Sequence, residues 1–133
     1  MGACSCIVVD DYDLPDFYVS ETRRARKEYK CGECRRQIQS GETYEHVRGK
    51  WDGAITVYRT CVDCLSVRNS FFCDGFVHGN IWEVLEEHLD ELVRFGNGVA
   101  DSCIAPLTPR AREQVCDFVE EIWSEMDGVE DVD

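Results

Sequence analysis

Long apolar runs are missing from this 133-residue sequence. Nowhere do about eighteen apolar residues follow one another, so no membrane-spanning helix is expected. The first thirty residues lack the apolar core of a secretion signal and carry Asp10, Asp11, Asp13 and Asp16 instead. Secretion is therefore not expected, and a cytoplasmic location is. The start Met1-Gly2-Ala3-Cys4-Ser5-Cys6 has the glycine that myristoylation needs, but Cys6 stands where that signal requires Ser or Thr. No internal repeat or low-complexity tract is visible, which excludes repeat architectures. Histidine is scarce, with three residues, and basic residues number 14 against 27 acidic ones.

What is present points to a folded chain. Hydrophobic residues make up 44% and charged residues 31%, the balance of a globular domain rather than of a disordered segment. At this length one compact domain can bury roughly two-thirds of its unfolded surface. The net charge of −13 is unevenly spread. From Arg23 to Arg68 there are 11 basic and 6 acidic residues, or +5, leaving 3 basic and 21 acidic elsewhere, or −18. Four thiolates and one Zn²⁺ would bring the central segment to +3. A mildly basic module thus sits between two acidic flanks.

Ile7-Val8-Val9 suggests a short edge strand, and the residues after it up to 20 an acidic loop. Residues 44–48 alternate with period two, residues 54–60 form a second run rich in β-branched residues, and Trp51-Asp52-Gly53 lies between them. An Asp-Gly pair between such runs predicts an antiparallel hairpin, because both residues tolerate positive φ. A short helix is expected over 65–72. The clearest helix runs from Asn80 to Phe95, with Asn80 as cap, Glu83 at the capping-box position, an Ile81, Leu85, Leu89, Leu92 stripe, and Gly96 as stop. A last helix is expected from Thr108-Pro109 through Val115, Phe118, Val119, Ile122 and Met126 to Gly128. The expected organisation is one compact domain with an N-terminal strand and acidic loop (1–22), a cysteine module (23–76), a helical region (77–128) and an acidic tail (129–133).

Nine cysteines are an odd number, so a complete disulfide framework would leave one thiol unmatched. Without a secretion signal, metal binding in a reducing compartment is the better reading. Two Cys-x-x-Cys pairs, Cys31/Cys34 and Cys61/Cys64, stand 26 residues apart. Zinc takes four soft, deprotonated ligands in a tetrahedron, and each pair delivers two thiolates from one tight turn. An iron–sulfur cluster also accepts four cysteines. A thioredoxin-like redox pair belongs in a βαβ setting that this segment does not show. One Zn²⁺ on these four residues is expected, in a closed all-sulfur site with no position for an activated water.

Lys30-Cys31-Gly32-Glu33-Cys34, with Ile38, Gly41-Glu42 and Tyr44 after it, leads into a hairpin and then Thr60-Cys61-Val62-Asp63-Cys64 at a helix start. This pattern resembles a treble-clef zinc finger over about residues 29–72, which implies an α+β fold with a zinc module, a hairpin and two or three amphipathic helices packed on it. The whole chain is also similar to a family of small cysteine-rich hypothetical proteins of tailed bacteriophages. The likeness rests on Gly49-Lys50-Trp51-Asp52-Gly53, Phe71-Phe72-Cys73-Asp74-Gly75-Phe76 and Leu107-Thr108-Pro109. That resemblance implies a bacterial host cytoplasm and a role in infection, and it names no activity.

The other cysteines, Cys4, Cys6, Cys73, Cys103 and Cys116, leave two readings open. They could form a second metal site, alone or with His78 or His88, or the last three could be small buried hydrophobes. For function, the acidic flanks, with Glu113, Glu120, Glu121 and Glu125 on the last helix, suggest a non-catalytic inhibitor or adaptor that engages a host protein; the same face also suits a merely solvated helix. The alternative is nucleic-acid binding through Arg23, Arg24, Arg26, Lys27, Arg35 and Arg36, with Tyr29 and Trp51 for stacking. A treble-clef nuclease is the enzyme reading, but it needs adjacent histidines on the hairpin and another on the following helix. Here the hairpin carries only His46. No residue is assigned a catalytic role.

Overall fold

A computed structural model describes residues 7–8 and 14–130. Within them the chain forms β1 (Ile7–Val8), β2 (Phe17–Arg24), β3 (Tyr29–Lys30), β4 (Gln37–Ile38), β5 (Thr43–Trp51) and β6 (Ala54–Cys61), then α1 (Val62–Phe71), β7 (Phe72–Asp74), α2 (Ile81–Phe95), α3 (Asp101–Ile104) and α4 (Pro109–Glu130). The fold is α+β, as expected. Its sheet is small and antiparallel, in the order β2-β5-β6, and two short ribbons, β3-β4 and β1-β7, flank it. No helix among the described residues is long and apolar enough to cross a membrane.

The predicted hairpin is β5-β6, paired from Trp51 opposite Ala54 to Tyr44 opposite Cys61. Asp52 (φ 51°) and Gly53 (φ 80°) both adopt left-handed backbone at its turn, the geometry whose twist matches that of paired strands. Gly49 has a different duty: a Cβ there would meet the Trp51 ring at 2.5 Å, so glycine lets the indole fold across its own strand.

β2 corrects the reading of the N-terminal segment. Residues 17–24 are a full strand, antiparallel to β5 from Phe17 opposite Lys50 to Arg24 opposite Thr43, and the expected boundary between residues 22 and 23 falls inside it. Phe17, Tyr18, Val19 and Thr22 suit a strand, but every residue of β2 is exposed. Without a buried face the strand has no apolar alternation to betray it, and its pairing with β5 defines it. β1 is present as read; Val9, the acidic residues after it up to Asp13, and the tail beyond Glu130 lie outside the described residues.

The helices follow their apolar stripes. Ile81, Leu85 and Leu89 of α2 and Ala111, Val115, Val119 and Ile122 of α4 are buried. One core cluster joins these helices to Ile7, Val67, Phe71 and Leu107. A second surrounds the paired cysteines with Ala25, Ile38 and Tyr44. Phe72 and Trp82 pack against both clusters. The expected side-chain cap of α2 is not made by Asn80, and α4 continues through Gly128 to Glu130. Thr108 does cap α4, its Oγ1 accepting from Ala111 N–H at 3.2 Å.

Between the sheet and the segment before α2 lies a polar and aromatic layer. Arg68 makes a two-pronged contact with Glu45 at 2.8 and 2.6 Å and lies over the Phe76 ring at 4.2 Å. His78 stacks on Tyr58 at 4.4 Å, and its Nε2 meets Tyr18 Oη at 3.2 Å. Burial, helped by the Arg68 charge and opposed by Glu45, pushes the His78 pKa down to about 4. The unfolded chain therefore takes up a proton as pH falls below about 6.5, whereas the folded one refuses it until about 4. Stability is expected to fall with pH across that window and to be unaffected by His78 above it. His46 is lowered by burial and by Arg23 and Arg59, and acts in the same direction. Urea midpoints of the metal-loaded protein should drop as pH falls from about 6.5 toward about 4, and drop less in His78→Phe. An equal drop in both proteins would assign the effect elsewhere.

Candidate metal centre

The first cysteine pair sits on the turn between β3 and β4. Cys31 N–H donates to Arg36 C=O at 2.9 Å and Arg35 N–H to Cys31 C=O at 3.1 Å, while Arg35 takes left-handed backbone (φ 69°) to close the turn. The second pair opens α1. Cys61 ends β6 as the helix N-cap, and its sulfur accepts the Cys64 N–H at 3.5 Å. Gly32 N–H donates to Arg59 C=O at 2.8 Å and fastens one turn to the other.

All four sulfurs lie within 4.8 Å of one another. The Cys31–Cys64 and Cys34–Cys61 separations are both 3.8 Å. A tetrahedron with Zn–S bonds of about 2.3 Å has an edge of about 3.8 Å, so the arrangement fits one ion of that size. Cys31, Cys61 and Cys64 are buried and Cys34 is half-buried, which makes the site closed.

The surroundings favour sulfur in its anionic form. Glu33 N–H and Cys61 N–H each point at Cys31 Sγ at 3.4 Å, and Trp82 Nε1–H reaches Cys64 Sγ at 3.2 Å. Contact with Cys34, then Cys61 and Cys64, drives the Cys31 pKa far down. For Cys34 the contact with Cys31 raises the value but those with Cys61 and Cys64 outweigh it, leaving about 7. Cys61 and Cys64 are pushed up, Cys31 first among the causes for each. Four sulfurs this close do not all ionise unaided. A bound dication supplies the charge that lets them do so.

The residues inside each Cys-x-x-Cys pair carry the site into the rest of the fold. The Glu33 carboxylate accepts from Gly79 N–H at 2.7 Å and Ile81 N–H at 3.3 Å, taking the place of the missing Asn80 cap at the start of α2. Burial raises the Glu33 pKa and these two amides oppose it. Asp63 accepts from Thr108 Oγ1–H at 2.7 Å, just before α4, and from Arg36 Nε–H at 2.9 Å. Arg36 also pairs with Glu42 at 2.9 Å. These roles, and that of Trp82, were not apparent from spacing; the one available signal is that both motifs carry a carboxylate between their cysteines.

Among the described residues, Cys31, Cys34, Cys61 and Cys64 are the one group of metal-binding side chains brought together. The second site finds no support there. Cys103 is disulfide-bonded and so is not a thiolate ligand, against the expectation of wholly reduced cysteines. Cys116 is a free, half-buried thiol on α4, while Cys4, Cys6 and the Cys73 side chain lie outside the described residues. His78 is engaged with Tyr58 and Tyr18, His46 is buried in the sheet, and His88 lies on α2. Of the basic candidates, Arg23, Arg24, Arg26, Lys27 and Arg35 are exposed, but Arg36 is committed to Asp63 and Glu42. Trp51 packs against Tyr18 and Tyr58 rather than standing free to stack. Glu113, Glu120 and Glu121 are exposed along α4, and Glu125 pairs with Arg94.

Comparison with protein-family models, with curated proteins and with solved structures finds no match.

Native mass spectrometry is expected to find one metal ion per chain, and Cys64→Ser to lose it; a metal-free chain with the same fold would overturn the assignment. Trp82→Phe keeps the stoichiometry at one and weakens metal affinity by roughly 10- to 100-fold, measured by chelator competition. Glu33→Ala and Asp63→Ala retain the metal yet each lowers unfolding free energy by about 2 kcal/mol, because each leaves helix-start groups without their acceptor.

Proposed function

We propose that the chain is a non-catalytic binding protein whose shape is fixed by one structural Zn²⁺ in a treble-clef-type module, and that its helical half takes a basic segment of a protein partner. The order of the parts supports the module: a cysteine turn, a hairpin, and a helix opened by the second cysteine pair. Sulfur separations that match the zinc tetrahedron support the ion. With four sulfur ligands its coordination is complete, which favours a structural role over a catalytic one.

The observation that carries the binding reading is a groove of about 450 Å³ beside the metal site. Glu33, Glu86, Asp117 and Glu121 line it around Trp82 and Phe118. Carboxylates on an apolar floor suit a lysine- or arginine-rich segment, whose charges pair at the rim while its aliphatic stems cover the rings. Glu121 is the one residue of the expected acidic surface in this groove; Glu113 and Glu120 extend the same charge along α4. Similarity to small bacteriophage proteins is the ground for seeking the partner in a bacterial host, where the protein acts as an inhibitor or adaptor.

The test is affinity capture from nuclease-treated bacterial lysate with the wild-type chain and with a Glu86→Lys, Asp117→Lys, Glu121→Lys variant. One protein retained by the wild type and lost by the variant is expected. Recovery of nothing but nucleic acid, or equal recovery by both chains, would refute the acidic-groove reading.

A further inference from the structure

The strand register divides the sheet into two faces. One bears Tyr18, Val47 and Tyr58 and is covered by His78 and the Glu45–Arg68 pair. The other aligns Phe17 with Lys50 and Ile55, and Val19 with Arg48 and Val57. On this outer face Val19 is 54% and Ile55 55% exposed, Phe17 and Val57 are exposed as well, and Arg48 lies 5.8 Å from the Phe17 ring centre. Bare apolar side chains interleaved with arginine and lysine are not what a merely solvated sheet face presents.

Toward the cysteine turns this face runs into a cleft of about 710 Å³ lined by Arg23, Arg24, Arg26, Tyr29 and Tyr44. Arg59, on the same side of β6, holds its guanidinium 4.3 Å over Tyr29, and Lys27 approaches that ring from 5.7 Å. In the strands of this face the one carboxylate is Glu21, which is joined to Arg23 at 2.6 Å in a well-exposed pair, and such pairs are weak. The buried imidazole of His46 senses the same positive field, since Arg23 and Arg59 both depress its pKa. The chain as a whole carries −13, yet this surface is locally cationic.

We propose that this face and its cleft form a binding site for single-stranded nucleic acid. The arginines would hold the phosphates, and unstacked bases would lie on Tyr29, Phe17 and the neighbouring apolar and guanidinium surfaces. Charge complementarity calls for a polyanion, and the exposed apolar and aromatic groups call for one whose bases are open to contact. A duplex hides its bases and offers this flat surface little beyond phosphate. The acidic groove between α2 and α4 takes no part, so the site stands or falls separately from the protein-partner reading.

The test is fluorescence anisotropy of the zinc-loaded chain with a labelled single strand of about 16 nucleotides. Micromolar binding at low salt is expected. If about four phosphates are contacted, log affinity should fall with log salt at a slope near −3, from about −0.7 for each contact. Arg48→Glu combined with Lys50→Glu, and separately Arg26→Glu in the cleft, should each weaken binding at least about tenfold with metal stoichiometry and circular dichroism unchanged. Glu86→Lys in the acidic groove should not weaken it. No binding at low salt would overturn the proposal, as would affinity unaffected by both basic-face variants. Equal affinity for the matching duplex would remove the single-strand assignment, and equal competition by polyglutamate would mark the face as one for acidic proteins.

Discussion

Four cysteine sulfurs gathered within 4.8 Å of one another pose a charge problem that the rest of the structure is arranged around. As thiolates they repel, and as thiols they have little reason to be buried together. A dication resolves the conflict, and the donors around the site, three backbone amides and the Trp82 indole, are oriented for sulfur that carries negative charge. The first turn has little strand to hold it, since β3 and β4 are two residues each. A ribbon that short is marginal without further support.

The consequence reaches beyond the module because Glu33 and Asp63 lie inside the two cysteine turns. Their backbones are placed by the clustered cysteines on either side, while their carboxylates point outward to the starts of α2 and α4. Glu33 satisfies amides at the start of α2 that have no partner within the helix, whereas Asp63 acts at α4 through Thr108, holding the hydroxyl that itself caps Ala111 N–H. Each helix is therefore anchored at the end nearest the cysteines, and its apolar stripe is set over Val67 and Phe71 of α1. Placing these carboxylates so close to four thiolates carries an electrostatic penalty. Arg36 offsets it on the Asp63 side, bonded to both Asp63 and Glu42.

How much of this could be read from the sequence depended on whether a feature is local. The hairpin was legible because Asp52-Gly53 demands a particular turn, and the four-cysteine cluster because paired Cys-x-x-Cys turns joined by a hairpin bring their sulfurs together. The stripes of α2 and α4 appear at helical period, so their buried faces could be named in advance. β2 could not, because a strand exposed at every position has no periodic signal and is defined by its pairing with the distant β5, from Phe17 opposite Lys50 to Arg24 opposite Thr43. The cap of α2 was misassigned for a related reason. Asn80 and Glu83 match a local capping pattern, whereas the acceptor in place is Glu33, 48 residues before Ile81. Arg36 was grouped with the free basic residues because charge is visible in sequence and its ion-pair partners are not.

The uneven charge of the chain also has a structural sense. The acidic groove contains Glu33 and Cys34, and the basic cleft contains Tyr29, two residues before Cys31. Both surfaces therefore border one cysteine turn. At physiological ionic strength charges farther apart than about 8 Å are largely screened, so neighbouring surfaces of opposite sign can each attract their own partner provided the frame between them does not deform. A flexible chain of this composition would instead let its basic segment collapse onto its acidic helices. A metal held by the four cysteines would fix that turn and keep the two charge sets from neutralising each other, a separation that both proposed binding surfaces require.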